Sequence, residues 1–298
     1  MWRAVVDATQ GDAWRTRQLP YSRTADLPRF ERPPVREVSM AIQFPQLELR
    51  AVDLGRLREL LQDRYPEVEE RAPVPLQVEN FARGHRLGMQ FQFALMERPP
   101  IPMLIFTSVD RSSLVQVQGD RFACAWRRTD TVDYPQYETL RQDFVRNAVL
   151  FGNFVEEVCG VDIKVTQAEV SYVNDIPMSD GIRPDVLAKA LPSLYSHDSA
   201  RPEISAVNIS QRLTFRTTDR GGGVDYARLH IDAEPVLTDH EPVLRLSLLY
   251  RGEPYERDQR SPGLAPLMGF FDEGHDQIVR GFAANTTEEA HRLWGRIA

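Results

Sequence analysis

The 298-residue chain contains only two cysteines, Cys124 and Cys159. Two are too few for a disulfide scaffold, and neither has a nearby histidine in sequence to act as the base a catalytic thiol needs. Both read as small buried hydrophobes. Lysine is nearly absent: Lys164 and Lys189 stand alone, and the other strongly basic side chains are all arginine. Arginine fills even plain helix-surface positions such as Arg56, Arg58 and Arg64, the mark of a high-GC coding bias rather than of forks selected for carboxylate or phosphate. No apolar run approaches the roughly 20 residues of a membrane span; stretches such as Met103-Leu104-Ile105-Phe106 are short and broken. The first 33 residues have no apolar core of a secretory leader. The expectation is a soluble, cytoplasmic protein with no membrane association.

A phosphate cradle is also missing. Gly221-Gly222-Gly223 joins two expected strands rather than a strand and a helix, so it lacks the helix N-terminus that holds an anion. There is no G-x-S-x-G elbow and no S-x-x-K. Asp162-Ile163-Lys164 has the acidic-x-Lys form of metal-dependent nucleases, but the only Pro-Asp pair, Pro184-Asp185, follows it instead of preceding it. The charge balance points the same way. With 36 basic and 43 acidic residues the net charge is −7, which argues against general nucleic-acid binding. A hydrophobic content of 42 % is enough to bury a core and excludes disorder.

The patterning that is present describes an α+β protein. Val38, Met40, Ile42 and Phe44 alternate on one strand face. Asp53 opens a helix carrying Leu54, Leu57, Leu61 and Tyr65, which Pro66 ends. A strand is expected around Leu76–Phe81, and Leu87 to Leu95 alternate as the next one. Pro102–Val109, Ser113–Gln118 and Arg121–Arg127 follow as short strands with Asp110-Arg111 and Gly119-Asp120 between them. From Pro135 to Cys159 the residues Tyr137, Leu140, Phe144, Ala148, Phe151, Val155 and Val158 recur at steps of three and four, one face of a long helix that Gly160 stops. A strand follows from Asp162 to about Ile176. Strands are then expected over 204–215, 224–232 and 242–250, and a helix over 264–282 with Leu264, Leu267, Phe271, Ile278 and Phe282 inside. Thr286 and Glu289 have capping-box spacing before a last helix ending near Trp294.

These elements predict two halves of mainly antiparallel sheet, each with a long helix packed across one face. Residues 1–29 read as a poorly ordered or loosely docked extension, 30–176 as the first half, 177–203 as a Pro-rich connector and 204–298 as the second half. Two candidate sites stand out. Trp126, Tyr134, Tyr137, Tyr172 and Trp294 fall at strand ends and helix termini, where they could line a cleft with Arg127 and Arg128 at its rim. Such a cleft would take a partly apolar acidic ligand. Asp272, His275 and Asp276 share a helix side at i, i+3 and i+4, and with His291 they could hold a divalent metal or move a proton. His275 also sits close to the inner stripe, which fits a buried polar anchor.

Several segments together carry a resemblance. They are Phe30-Glu31-Arg32-Pro33-Pro34-Val35-Arg36-Glu37-Val38, Asp133-Tyr134-Pro135-Gln136-Tyr137, Tyr172-Val173-Asn174-Asp175-Ile176 and Ala290-His291-Arg292-Leu293-Trp294-Gly295-Arg296. In this order, from about Phe30 to the C-terminus, the chain resembles a sporadically distributed bacterial family of uncharacterised proteins. The resemblance implies a bacterial, cytoplasmic protein of accessory systems, defence among them, and carries over no catalytic residues. The function expected is therefore non-catalytic: a binding or regulatory protein for a partner protein or a small acidic or apolar ligand, with no cofactor. The rivals are a small-molecule enzyme or metal-dependent hydrolase built on Asp272, His275, Asp276 and His291, and a structural subunit of an accessory complex.

Overall fold

The structure is a computed structural model of the whole chain. It describes residues 21, 24, 26–81, 101–178, 210–218, 223, 225–238, 241–254 and 264–297. Their elements, in chain order, are β1 (Val35–Gln43), α1 (Ala51–Leu61), β2 (Glu67–Arg71), β3 (Met103–Thr107), β4 (Ser113–Gln118), β5 (Arg121–Arg127), α2 (Tyr137–Cys159), β6 (Gln167–Pro177), β7 (Gln211–Thr218), β8 (Asp225–Leu237), β9 (Pro242–Gly252), α3 (Leu264–Asn285) and α4 (Glu288–Leu293). The protein is thus a mixed helix-and-strand fold. Among the described residues nine strands join in one sheet in the order β2-β3-β4-β5-β1-β6-β9-β8-β7. The β2–β3, β3–β4, β4–β5 and β7–β8 pairs are antiparallel.

The chain folds as two compact units drawn from interleaved segments. Among the described residues, the first holds 40–81, 101–168, 252–254 and 264–271 with Tyr21; the second holds 26–39, 169–178, 210–218, 225–238, 241–251 and 272–297 with Thr24 and Gly223. β1, β6 and α3 each have residues in both units.

In the first unit, α2 lies on the β5 side chains that the alternation turns toward it. Phe122 stacks on Phe151 at 4.7 Å between ring centroids and meets Phe144 edge-on at 5.9 Å. Phe144 in turn meets Phe271 at 4.9 Å, and Phe44 packs on Phe151 at 5.9 Å. Within this face Asn147 donates to the Tyr65 hydroxyl at 2.9 Å, satisfying a buried polar pair between α2 and the end of α1. The helix ends as expected: Gly160 sits at φ 65°, a left-handed conformation that glycine adopts without Cβ strain, and its N–H returns to the Glu156 carbonyl. The opposite strand face is apolar too, with Met103, Ile105 and Leu114 buried around Ala125. At the start of α1 the Asp53 carboxylate accepts the Arg50 N–H at 2.9 Å; it works from the third helical position, because the helix begins at Ala51 rather than at Asp53.

In the second unit, the C-terminal part of α3 covers Val170, Tyr172, Leu229, Ile231, Leu248 and Tyr250. The approach is close: a Cβ on Gly274 would stand 2.6 Å from Val170 Cγ1 and 2.7 Å from Tyr250 Cδ1. Three contacts set the register of β6 and β9. Arg251 pairs with Glu169, Arg245 with Asp175, and the Asn174 amide donates to the Leu246 carbonyl. One strand's numbers fall as the other's rise, so the pair is antiparallel. At the chain end, Phe30 meets Phe282, His291 and Trp294, and Glu31 and Arg32 donate backbone N–H groups to the Gly295 and Trp294 carbonyls. Leu27, expected in a loosely docked segment, is 1 % exposed.

Two expectations are corrected. Residues 72–81 form no strand; the strand of that region is β2, at 67–71, where no proline interrupts the ladder. The cap of α4 is Thr287, whose hydroxyl accepts the Ala290 N–H at 3.2 Å, whereas the buried Thr286 hydroxyl donates to the Phe282 carbonyl. The expected strand over 87–95, the connector from 179 onward and residues 204–209 lie outside the described residues.

Candidate functional site

The cleft residues divide between the units. Trp126, Arg127, Arg128, Tyr134 and Tyr137 belong to the first, Tyr172 and Trp294 to the second. Trp126 is 2 % exposed and meets Tyr134 edge-on at 5.5 Å. Tyr137 opens α2, buried, edge-on to Tyr21 at 5.2 Å. Arg127 is exposed at the end of β5 and Arg128 is half-buried. Tyr172 is 4 % exposed on the α3 side of β6, and Trp294 packs on Phe282 at 5.0 Å. The large aromatics of this set are packed inside their own units.

The four metal candidates all lie in the second unit; His275 has its Nδ1, and His291 both ring nitrogens, bonded within the fold. Tyr172 Oη lies 2.8 Å from His275 Nδ1, both residues buried, so His275 is the polar anchor of α3 on β6. His291 Nε2 lies 2.8 Å from the Thr286 hydroxyl, whose proton goes to the Phe282 carbonyl; Nε2 is therefore the donor. Its Nδ1 accepts from Arg296 Nη1 at 3.1 Å. A neutral ring with both nitrogens bonded is a structural pin rather than a ligand. Asp276 accepts from the Thr24 hydroxyl. Among the described residues, no three His, Cys, Asp or Glu side chains converge to hold a metal. Desolvation around the thiol pushes the half-buried Cys124 up to about 12, and Cys159 is also raised, by desolvation and then by the charges of Asp53 and Glu48. Neither is a thiolate at neutral pH.

The face of the second unit turned away from α3 is different. Alternation places Glu169, Ser171 and Asp175 on it from β6, Arg245, Ser247 and Arg251 from β9, Arg228, His230 and Asp232 from β8, and Arg212, Thr214 and Arg216 from β7. Here arginine and carboxylate pair across strands. Arg251 reaches Glu169 at 2.7 Å with both side chains buried, and Arg245 holds Asp175 through two bonds of 2.8 and 2.9 Å. Toward the outer strand the pairs become exposed: Arg212 with Asp232 and Arg216 with Asp225. Arg212 and Arg216 are 77 % and 72 % exposed. β7 ends the strand order, and on its other face Phe215 is 48 % exposed. Sequence reasoning missed this face, although its signal was there: polar residues alternate on β7 and β8, and on β6 and β9 with Val173 and Leu249 interrupting them.

A second polar construction lies in the first unit, on the strand face away from α2. Gln43, Gln118 and Gln167 are 2 %, 2 % and 4 % exposed, and their amides bond the backbone of residues 74–79. The chain matches no protein-family model and no curated protein.

Proposed function

We propose that the protein is a non-catalytic binding or regulatory protein that docks a partner protein on the β7 edge and the polar face behind it. One observation carries the reading: an outermost strand with Phe215 half in water and two arginines more than 70 % exposed, backed by ordered polar side chains. Among the described residues no strand pairs the outer edge of β7; such an edge is a template for a further strand, and an extended segment added there would take backbone hydrogen bonds from β7. Arg212 and Arg216 stand four residues apart on one strand face. They favour acidic side chains at the matching positions of the partner, and they deter a second β7, whose like charges would oppose them. A small acidic ligand is the lesser reading, because the arginines inside the face already hold carboxylates.

In this reading α2 serves one half of the sheet and the C-terminal part of α3 the other, in a cytoplasmic protein of a bacterial accessory system. Against the hydrolase reading stand His291, with both ring nitrogens bonded within the fold, and His275, whose Nδ1 meets the Tyr172 hydroxyl. Native mass spectrometry of the chain purified gently from its own host tests the proposal. A stoichiometric protein bound without metal supports it. A bound metal lost in His275→Ala, or a chain with no protein bound, overturns it.

A further inference from the structure

The three buried glutamines of the first unit do unusual work. Gln118 takes both the N–H and the C=O of Val74, at 3.0 and 2.9 Å. Gln167 does the same for Glu79, at 3.0 Å for both bonds, and Gln43 donates to the Gln77 carbonyl at 3.1 Å. A primary amide carries two N–H donors and a carbonyl acceptor, so it can present to a backbone what a neighbouring strand would present; the other N–H of Gln118 goes to Asp120 Oδ1 at 2.6 Å. The segment crosses β4, β1 and β6 at their ends, reading from Val74 to Glu79, and is bonded through its main chain.

Its side chains stand largely in water. Every residue from Ala72 to Val78 is exposed, Val74 at 43 %, Leu76 at 38 % and Val78 at 67 %. Pro73 and Pro75 keep the segment extended, because each fixes its own φ and biases the preceding residue away from helix. The glutamines recognise main-chain groups, so what they ask of an occupant is a backbone pattern in an extended conformation. It needs a donor and acceptor at one residue, an acceptor three residues on, and a donor and acceptor five residues on. The glutamines cannot stay empty: a side-chain amide buried to this degree is destabilising without partners. The site holds this segment or another like it.

We infer that Gln43, Gln118 and Gln167 form a binding site for an extended, proline-bearing peptide of a partner protein, and that residues 74–79 occupy it in cis until such a peptide displaces them. The site is separate from the β7 edge and stands or falls without it. The tethered segment competes at an effective concentration on the order of millimolar, so the unaltered chain should bind free peptide weakly.

The test uses the full chain with Val74→Pro and Glu79→Pro, which remove the two N–H groups that the glutamines accept and leave the glutamines intact. The probe is a fluorescein-labelled peptide with the sequence of residues 71–81, followed by anisotropy. The expected result is binding at least tenfold tighter than to the unaltered chain, abolished when Gln118→Leu and Gln167→Leu are added. Equal binding to both chains, or binding that survives loss of the glutamines, overturns the inference. Hydrogen exchange on the unaltered chain is the second readout, should the proline variant not fold. The Val74 and Glu79 amides should exchange by local opening, at least a hundredfold faster than the slowest amides of β4 and β1. Exchange only with global unfolding would show that the segment does not leave.

Discussion

The Arg251–Glu169 pair gives the sharpest energetic prediction. The guanidinium and carboxylate lie 2.7 Å apart with side chains 9 % and 6 % exposed, on neighbouring strands of the second unit. Two ions removed from water need each other. Removing one takes from the other, still buried, the charge 2.7 Å away, a loss that costs about 3–5 kcal/mol, whereas replacing both by apolar residues of similar size is about neutral or stabilising. Glu169→Leu and Arg251→Met should each lower unfolding free energy by about 3 kcal/mol or more, and the double variant should return to within about 1 kcal/mol of the parent. The cycle then yields a coupling above about 3 kcal/mol. The same cycle on Arg212 and Asp232, 77 % and 36 % exposed, should yield less than about 1 kcal/mol, since water and side-chain entropy offset the attraction. Denaturant unfolding followed by far-UV circular dichroism measures all of these. A Glu169→Leu loss below about 1 kcal/mol, or a double variant as poor as the two singles added together, would refute the reasoning.

Further outcomes follow from single sites. Gly274→Ala should destabilise by about 1–3 kcal/mol, because overpacking against Val170 and Tyr250 outweighs the helix-propensity gain, while Gly269→Ala, with nothing within 4 Å, should be neutral or stabilising by up to about 1 kcal/mol; thermal melts of both decide it. Iodoacetamide at pH 8 should leave Cys124 unmodified until the protein unfolds, with Cys159 reacting slowly; mass spectrometry of the labelled peptides reads this out. Asp110 accepts from the Ser108 hydroxyl and from the Ser112 N–H and hydroxyl, which hold its carboxyl below the usual carboxylate range. A depressed folded-state pKa stabilises at pH above the unfolded value and is lost as pH falls through the folded one. The stability gap between parent and Asp110→Asn should therefore be full at pH 7 and shrink below about pH 4 in a melting series.

Much of the fold was legible because its signals are local. The three-and-four spacing from Tyr137 to Val155 marks α2 to within two residues of its start, and Gly160 marks its stop. The helix is richer than its stripe: Arg141, Asn147 and Phe154 are buried as well, since α2 packs on more than one side. β3, β4, β5 and β9 fall close to their expected bounds because alternation and turn residues agree there. What was not legible is non-local. Nothing in Gln43, Gln118 or Gln167 announces that three amides from distant strands will meet one extended segment, and Val74, Leu76 and Val78 alternate like a strand although no strand pairs with them in the described residues. His275 shows the same ambiguity: i, i+3 and i+4 spacing describes a metal face and a buried anchor equally well, and only Tyr172, more than a hundred residues away, decides between them.

The central claim, that the β7 edge docks a partner protein, is tested most directly by charge reversal. Arg212→Glu with Arg216→Glu changes exposed side chains on that strand, and Arg58→Glu with Arg111→Glu changes the net charge equally on the first unit. The bound-protein fraction of each chain, purified from its own host, is then read by native mass spectrometry. The account predicts a partner retained by the parent and by the first-unit variant and lost from the β7 variant. A partner that the β7 variant keeps in full would contradict it.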